Sequence, residues 1–215
     1  MLTNRPAVLI ALGAGLLAAG VAFISDAGTK ERSSADAPMR VATAIFAGGD
    51  FRSVEADFDK LQGIVETIPG YIGGTEDDPS HKSVVSGETG HYEAVKVTYD
   101  PARVSYDELA RYFVRMIDPT DDAGQFCDRG DAYRSAIFVS GQSERDAAVA
   151  TLSGAHRLLG KEVTTEIRPL TTFWPADEQF QDYHVKNASR FASQRADCGR
   201  DERVQLLWGK AVPAL

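Results

Sequence analysis

Apolar and polar positions along the chain follow two periods, and each marks elements of one kind. From Tyr92 to Tyr99 the order Ala94-Val95-Lys96-Val97-Thr98-Tyr99 alternates strictly and stops at Asp100-Pro101, which predicts a strand. Val41–Phe46 is short, apolar and β-prone; Ile64 to Gly74 opens β-branched and closes on Gly73-Gly74; Ser135–Val139 and Val163–Ile167 complete the predicted strands. Spacing of three and four appears at Phe51, Val54, Phe58 and Leu61 and again at Leu109, Tyr112, Phe113 and Met116, so both stretches predict helices. The second has a start signal, Ser105 as N-cap with Glu108 completing a capping box. Ser143–Leu159 reads as an amphipathic helix. After Pro169 the pattern weakens into loop and short helix, with Trp208 a candidate packing anchor. The order strand, helix, strand, strand, helix, strand, helix, strand predicts an α+β fold. Its helices lie on one side of a largely antiparallel sheet around a two-layer, ferredoxin-like split βαβ core.

The N-terminus departs from both periods. Arg5 precedes an uncharged apolar run, Ala7–Ile24, before polar Ser25-Asp26-Ala27-Gly28. Residues 1–27 are therefore expected to be a signal peptide or an uncleaved membrane anchor, with the rest exported to the periplasm or facing that side. Small and polar residues 28–39 read as a flexible tether, and 40–212 as one globular domain. The 23 basic and 31 acidic residues leave a net charge of -8, with no basic stripe to displace counterions, so a nucleic-acid partner is not expected. Only Cys127 and Cys198 carry thiols. In an oxidising compartment two cysteines are more often a disulfide than free groups, and no Cys-x-x-Cys pair suggests structural zinc.

Three segments hold candidate chemistry. The turn Ala47-Gly48-Gly49-Asp50-Phe51-Arg52 places residue 50 where a helix begins. Free backbone N–H groups and the helix dipole there would activate a thiol, but they equally make Asp50 a good N-cap. The segment Gly87-Glu88-Thr89-Gly90-His91-Tyr92-Glu93 ends in a carboxyl group at a strand start, sharing a strand face with His91. If partly buried, Glu93 could protonate an incoming oxygen; otherwise it is a surface carboxylate. Asp128 and Tyr133 lie on the loop entering the strand at Ser135, where Tyr133 is either an oxygen-binding hydroxyl or a core aromatic with a wet tip.

Together these segments resemble the peptide methionine sulfoxide reductase A family. The resemblance runs from about Ala42 to Lys210 and includes Gly70-Tyr71-Ile72-Gly73-Gly74, Ile117-Asp118-Pro119-Thr120, Tyr133-Arg134-Ser135-Ala136-Ile137, Thr172-Phe173-Trp174-Pro175-Ala176 and Cys198-Gly199-Arg200-Asp201. It implies the α+β roll and reduction of the S epimer of methionine sulfoxide, free or in oxidised protein. No metal or organic cofactor is implied, and the electrons would come from a thioredoxin-type dithiol. By the same likeness Glu93 matches the acid that protonates the sulfoxide oxygen, Tyr133 an oxygen-binding tyrosine, Asp128 a supporting carboxylate and Phe51 a wall of the methyl pocket. Cys198 matches a resolving cysteine, and Cys127 a cysteine in the same Gln-Phe-Cys-Asp context.

Departures fall in that pocket. Asp50 stands where the family has its nucleophilic cysteine, Arg52 replaces a tryptophan, His81 replaces a second oxygen-binding tyrosine, and Gln179-Phe180 replaces a Tyr-His pair. A carboxylate cannot supply the two electrons that a thiolate gives in becoming a sulfenic acid. Three expectations follow. One is a non-catalytic binder of oxidised methionine or a related peptide group, with Asp50 and Arg52 paired across the methyl pocket. Another is a reductase using Cys127 or Cys198 as substitute nucleophile, Cys198 reaching in from a mobile tail. The last is a metal or acid/base set made of Asp50, His81 and Glu93.

Overall fold

The computed structural model describes residues 40–209, so the expected leader and tether lie outside the described residues. Strands β1 (Ala42–Gly48), β2 (Ile64–Ile72), β3 (Tyr92–Tyr99), β6 (Ser135–Val139), β7 (Glu166–Pro169) and β8 (Phe173–Pro175) form one sheet in the order β7-β6-β1-β3-β2-β8. All neighbours are antiparallel except β6 and β7. The central order β6-β1-β3-β2, with α1 (Phe51–Phe58) after β1 and α3 (Tyr106–Arg115) after β3, is the split βαβ arrangement expected from the element order. The alternation that predicts β3 is realised: Val95, Val97 and Tyr99 point into the main core.

That core lies between one face of the sheet and helices α1, α3 and α4 (Gln142–Leu159). Ala44, Phe46, Val95, Val97, Ile137 and Val139 meet Val54, Phe58, Leu109, Phe113, Ala148 and Ala155. Phe46 stands at its centre, with ring centroids 5.2 Å from Phe58 and 4.9 Å from Phe113. The opposite face holds a smaller cluster of Ile45, Ala47, Ile72, Tyr92, Ala94, Ala136 and Phe138, covered by Phe173. The capping box at α3 forms as expected, Ser105 Oγ accepting from the Glu108 N–H and Glu108 from the Ser105 N–H.

Boundaries move where long-range pairing overrides local preference. β1 continues past Phe46 to Gly48 because Ala47 and Gly48 pair with Ala136 and Ser135 of β6. Helix α1 stops at Phe58; Leu61 is still buried, but in a turn where its N–H bonds the Phe58 carbonyl at 2.9 Å. β7 starts at Glu166 rather than Val163, since the Thr164 N–H is taken by the Pro119 carbonyl. His91 precedes β3 rather than sharing its face with Glu93. Its ring bonds the Gly74 N–H and the Glu76 carbonyl, so it fastens the turn after β2 and stays out of the site.

Several elements carry no strong sequence signal. Short helix α2 (His81–Val85) is capped by Ser80, which exchanges bonds with Ser83. A small hairpin, β4 (Gly124–Gln125) with β5 (Asp128–Arg129), is followed by a 3-10 turn at Asp131–Tyr133. The region after Pro169, expected to be loop and short helix, contains β8 and three short helices, α5 (Tyr183–Lys186), α6 (Ala188–Asp197) and α7 (Arg200–Trp208). Helices α6 and α7 lack an apolar stripe, and Arg200 is their one buried residue, so ionic and polar bonds hold them. Arg195 pairs with Asp57 at 3.0 Å and with Asp201, Arg203 pairs with Asp118, and the Trp208 indole N–H donates to the Ile117 carbonyl at 3.2 Å. Trp208 thus anchors the C-terminal region as its position suggests.

Candidate active site

Two glycines bring β1 into α1 at the centre of the molecule. Gly49 has φ +85°, and a Cβ there would come within 2.6 Å of the Gln125 Cβ, so a side chain is excluded both by conformation and by space. The turn sets Asp50 as N-cap. Its Oδ1 accepts from the Arg52 backbone N–H at 3.1 Å and from Arg52 Nε at 2.8 Å, and Oδ2 accepts from the Ser53 hydroxyl at 3.3 Å. The Arg52 guanidinium also lies over the Tyr183 ring, 4.9 Å from its centroid. Both expectations for Asp50, helix cap and partner of Arg52, are therefore met by one geometry.

Glu93 is almost fully buried, so it is not the surface carboxylate of the alternative reading. Its Oε2 accepts from the Phe51 N–H at 3.1 Å, at the same helix start that Asp50 caps, and its Oε1 lies 3.2 Å from His81 Nε2. Burial, reinforced by the Asp50 charge, holds the Glu93 carboxyl well above the usual range, although His81 and the Phe51 N–H oppose the shift. A carboxyl that retains its proton can donate to an oxygen, which is what protonation of a sulfoxide would need. Around it an aromatic wall forms: Phe51 is 5.8 Å from Tyr71 and 5.5 Å from Phe180, and His81 is 4.6 Å from Phe180.

Tyr133, at the end of the 3-10 turn, is under the electrostatic influence of the same carboxyls. Burial and the charges of Glu93, Asp128 and Asp50 all push its hydroxyl upward, so it keeps its proton and remains a donor. Asp128 is pushed up to about 6, by burial first and then by Asp50, while Arg200, Arg52 and the Asp50 N–H pull it back. Asp50, Glu93, Asp128 and Tyr133 are thus electrostatic neighbours despite lying on four separate elements.

Cys127 and Cys198 are joined, with sulfurs 2.06 Å apart. The bond ties the β4–β5 hairpin to the end of α6, beside a cavity of about 380 Å³ that Asp50, Arg52, Asp128, Arg195 and Arg200 also line. The substitute-nucleophile reading would need Cys198 to reach in from a mobile tail; the tail is instead docked through Arg195, Arg203 and Trp208. Arg200, quoted in the resemblance without a role, is the strongest tie. It is 2% exposed, donates to the Gly48 and Met116 carbonyls, and stacks on Phe126 at 4.6 Å. Its Cys-Gly-Arg context could have marked it, but nothing local says that a guanidinium would reach under the Gly-Gly turn.

The expected metal set of Asp50, His81 and Glu93 is not gathered. His81 meets Glu93, but the oxygens of Asp50 are turned to Arg52 and Ser53. Among the described residues the one group of three His, Cys, Asp or Glu with donor atoms within 4.8 Å of one another is Cys127, Asp128 and Cys198. Its sulfurs are bonded to each other, so they are not the thiolates a metal binds.

The protein is thus an α+β domain with a two-layer ferredoxin-like sheet and a buried, protonatable carboxyl at the start of its first helix. The sequence profile described as "Peptide methionine sulfoxide reductase" matches residues 42–212. The chain is 42% identical over 173 residues to "Peptide methionine sulfoxide reductase MsrA 2" of Caulobacter vibrioides, covering 80% of this chain and 88% of the relative. A relative of that name from Rhizobium meliloti is 44% identical over 166 residues, covering 77% and 83%. Among solved structures, methionine sulfoxide reductase A of Corynebacterium diphtheriae superposes with a TM-score of 0.64 at 30% identity, covering 71% of this chain and 77% of the other. Mxr1 from Saccharomyces cerevisiae in reduced form gives 0.67 at 29%, covering 71% and 88%. The chain belongs to the peptide methionine sulfoxide reductase A family.

Proposed function

We propose that this domain binds the sulfinyl oxygen of an oxidised methionine side chain without turning it over at residue 50. The observation that carries the reading is the state of Asp50. The residue that resemblance aligns with the nucleophile has no sulfur, and its carboxylate is engaged by the helix start, Ser53 and Arg52. The oxygen-recognising groups nevertheless remain as a set, with Glu93 poised to donate and Tyr133 beside it. Arg52 over Tyr183 makes one wall of the pocket charged, so a polar peptide group is favoured next to the sulfinyl centre.

A second reading has a specific observation in its favour: the disulfide lines the same cavity as Asp50. A thioredoxin-type dithiol could reduce it, releasing Cys127 and Cys198 as two thiols. These would then supply two electrons and two protons to a sulfoxide, whose oxygen leaves as water as the disulfide re-forms. Relatives are named as reductases, which is consistent with such turnover.

One assay separates the readings. The protein is incubated with a methionine sulfoxide peptide and dithiothreitol, beside Asp50→Cys/Arg52→Trp and Cys127→Ser/Cys198→Ser variants. The first reading expects sulfide product only from the restored variant. Product formed by the native protein and lost with the two cysteines would establish the second. Either activity is assigned here to an exported compartment on the strength of the apolar segment Ala7–Ile24, which cell fractionation checks.

A further inference from the structure

Tyr71 is 1% exposed, and its hydroxyl has no hydrogen-bond partner among the described residues. A buried unpaired hydroxyl is destabilising, a penalty phenylalanine would avoid in the same space. Position in the sheet explains where this hydroxyl is aimed. Tyr71 on β2 is the direct partner of Glu93 on β3, and such partners project from the same face. Its ring packs at 5.8 Å on Phe51, whose N–H is bonded to Glu93.

Other buried polar atoms also lack partners, including those of Tyr106, Glu55 and Arg200. Tyr106 is influenced by Glu144 and Tyr99, Glu55 by Asp59 and Asp182, and Arg200 by Asp57 and Arg195. Tyr71 is the one influenced by Glu93 and Tyr133, the two groups already read as oxygen ligands. Burial first, then Glu93, Asp177 and Tyr133, raise its pKa, so it holds its proton and can donate to an acceptor oxygen. His81, meanwhile, has its Nε2 committed to Glu93 and offers that nitrogen to nothing else.

Resting on the reading that the pocket receives a sulfinyl oxygen, we propose that the Tyr71 hydroxyl donates directly to that oxygen, so that the ligand is held by Glu93, Tyr133 and Tyr71 together. The bound oxygen would accept the bond for which Tyr71 has no protein partner among the described residues. Selectivity for sulfoxide over sulfide therefore depends on this residue, since a sulfide has no oxygen to accept.

Calorimetric titration of the full chain with two peptides, identical except for methionine sulfoxide or methionine, tests this. Tyr71→Phe is prepared in the native background and in the Asp50→Cys/Arg52→Trp background. The expected result is a sulfoxide affinity about tenfold weaker, with methionine binding unchanged and the melting temperature equal or higher, because an unpaired hydroxyl has been removed. Equal sulfoxide affinity with and without the hydroxyl overturns the proposal. So does a marked fall in melting temperature, which would mean that the hydroxyl is satisfied inside the protein. If only the restored background binds, the native-binder reading fails and Tyr71 is judged by its effect there. If neither background binds sulfoxide, both ideas fall.

Discussion

Residue 50, which the resemblance aligns with a nucleophilic cysteine, caps helix α1 through an oxygen acceptor. A helix start rewards an oxygen acceptor whatever its reactivity, so Asp50 satisfies the Arg52 N–H without any redox capacity. Asp50→Ala should cost about 1 kcal/mol through loss of the cap, whereas Asp50→Asn should cost only a few tenths. Urea denaturation compares them, and equal losses for both variants would shift the weight from the cap to the Arg52 ion pair. Glu55, a turn further along the same helix, makes a pH prediction. Burial pushes its carboxyl up to about 7, aided by Asp59 and Asp182, while the Asp182 and Tyr183 N–H groups oppose. The folded state therefore keeps this proton to higher pH than the unfolded chain does. Unfolding free energy should fall as pH rises from about 4.5 to about 7 and level off above, by roughly 3 kcal/mol for this group. Glu55→Gln should flatten that part of the profile. An unchanged slope in thermal or urea unfolding across that window would assign it elsewhere, with Asp128 and Glu93 next because their shifts have the same sign. At this scale Glu93 was legible as a candidate but not as a buried acid. A strand-start glutamate looks the same in sequence whether its face is covered or wet.

Among the elements, β3 and α3 were readable because period-two alternation and a capping box are properties of neighbouring residues. Helices α6 and α7 were not, since their attachments are Arg195 to Asp57, Arg203 to Asp118 and Arg200 to two carbonyls, all remote in sequence. Arg200→Ala should destabilise by about 3–5 kcal/mol, because the partners Gly48, Met116 and Asp57 lose a buried guanidinium. Chemical denaturation measures it, and a loss below about 1 kcal/mol would mean that the C-terminal helices add little to the folded body. The disulfide spans a separation of 71 residues. In the chain-entropy model its removal in Cys127→Ser/Cys198→Ser costs about 4 kcal/mol. The ionic contacts of α6 and α7 should keep that region helical after reduction, so far-ultraviolet circular dichroism should change little when dithiothreitol is added. Loss of helix signal on reduction would make the bond the sole tether.

On the scale of the whole molecule, fold class and family could be read from the chain because they depend on the order of elements and on motifs spread along it. The leader and the tether are local readings of the same kind, and they lie outside the described residues. The absence of sulfur at residue 50 is likewise visible in the sequence alone, and no packing can change how many electrons an aspartate has to give. Tertiary structure alone decided that Glu93 is buried against the Phe51 N–H, 42 residues away, that Tyr71 faces it across the sheet, and that both cysteines meet beside Asp50. Side-chain period and capping act over a turn or a few residues. Burial, pairing and pKa are set by strand register and by docking of distant segments, which no short stretch of sequence contains.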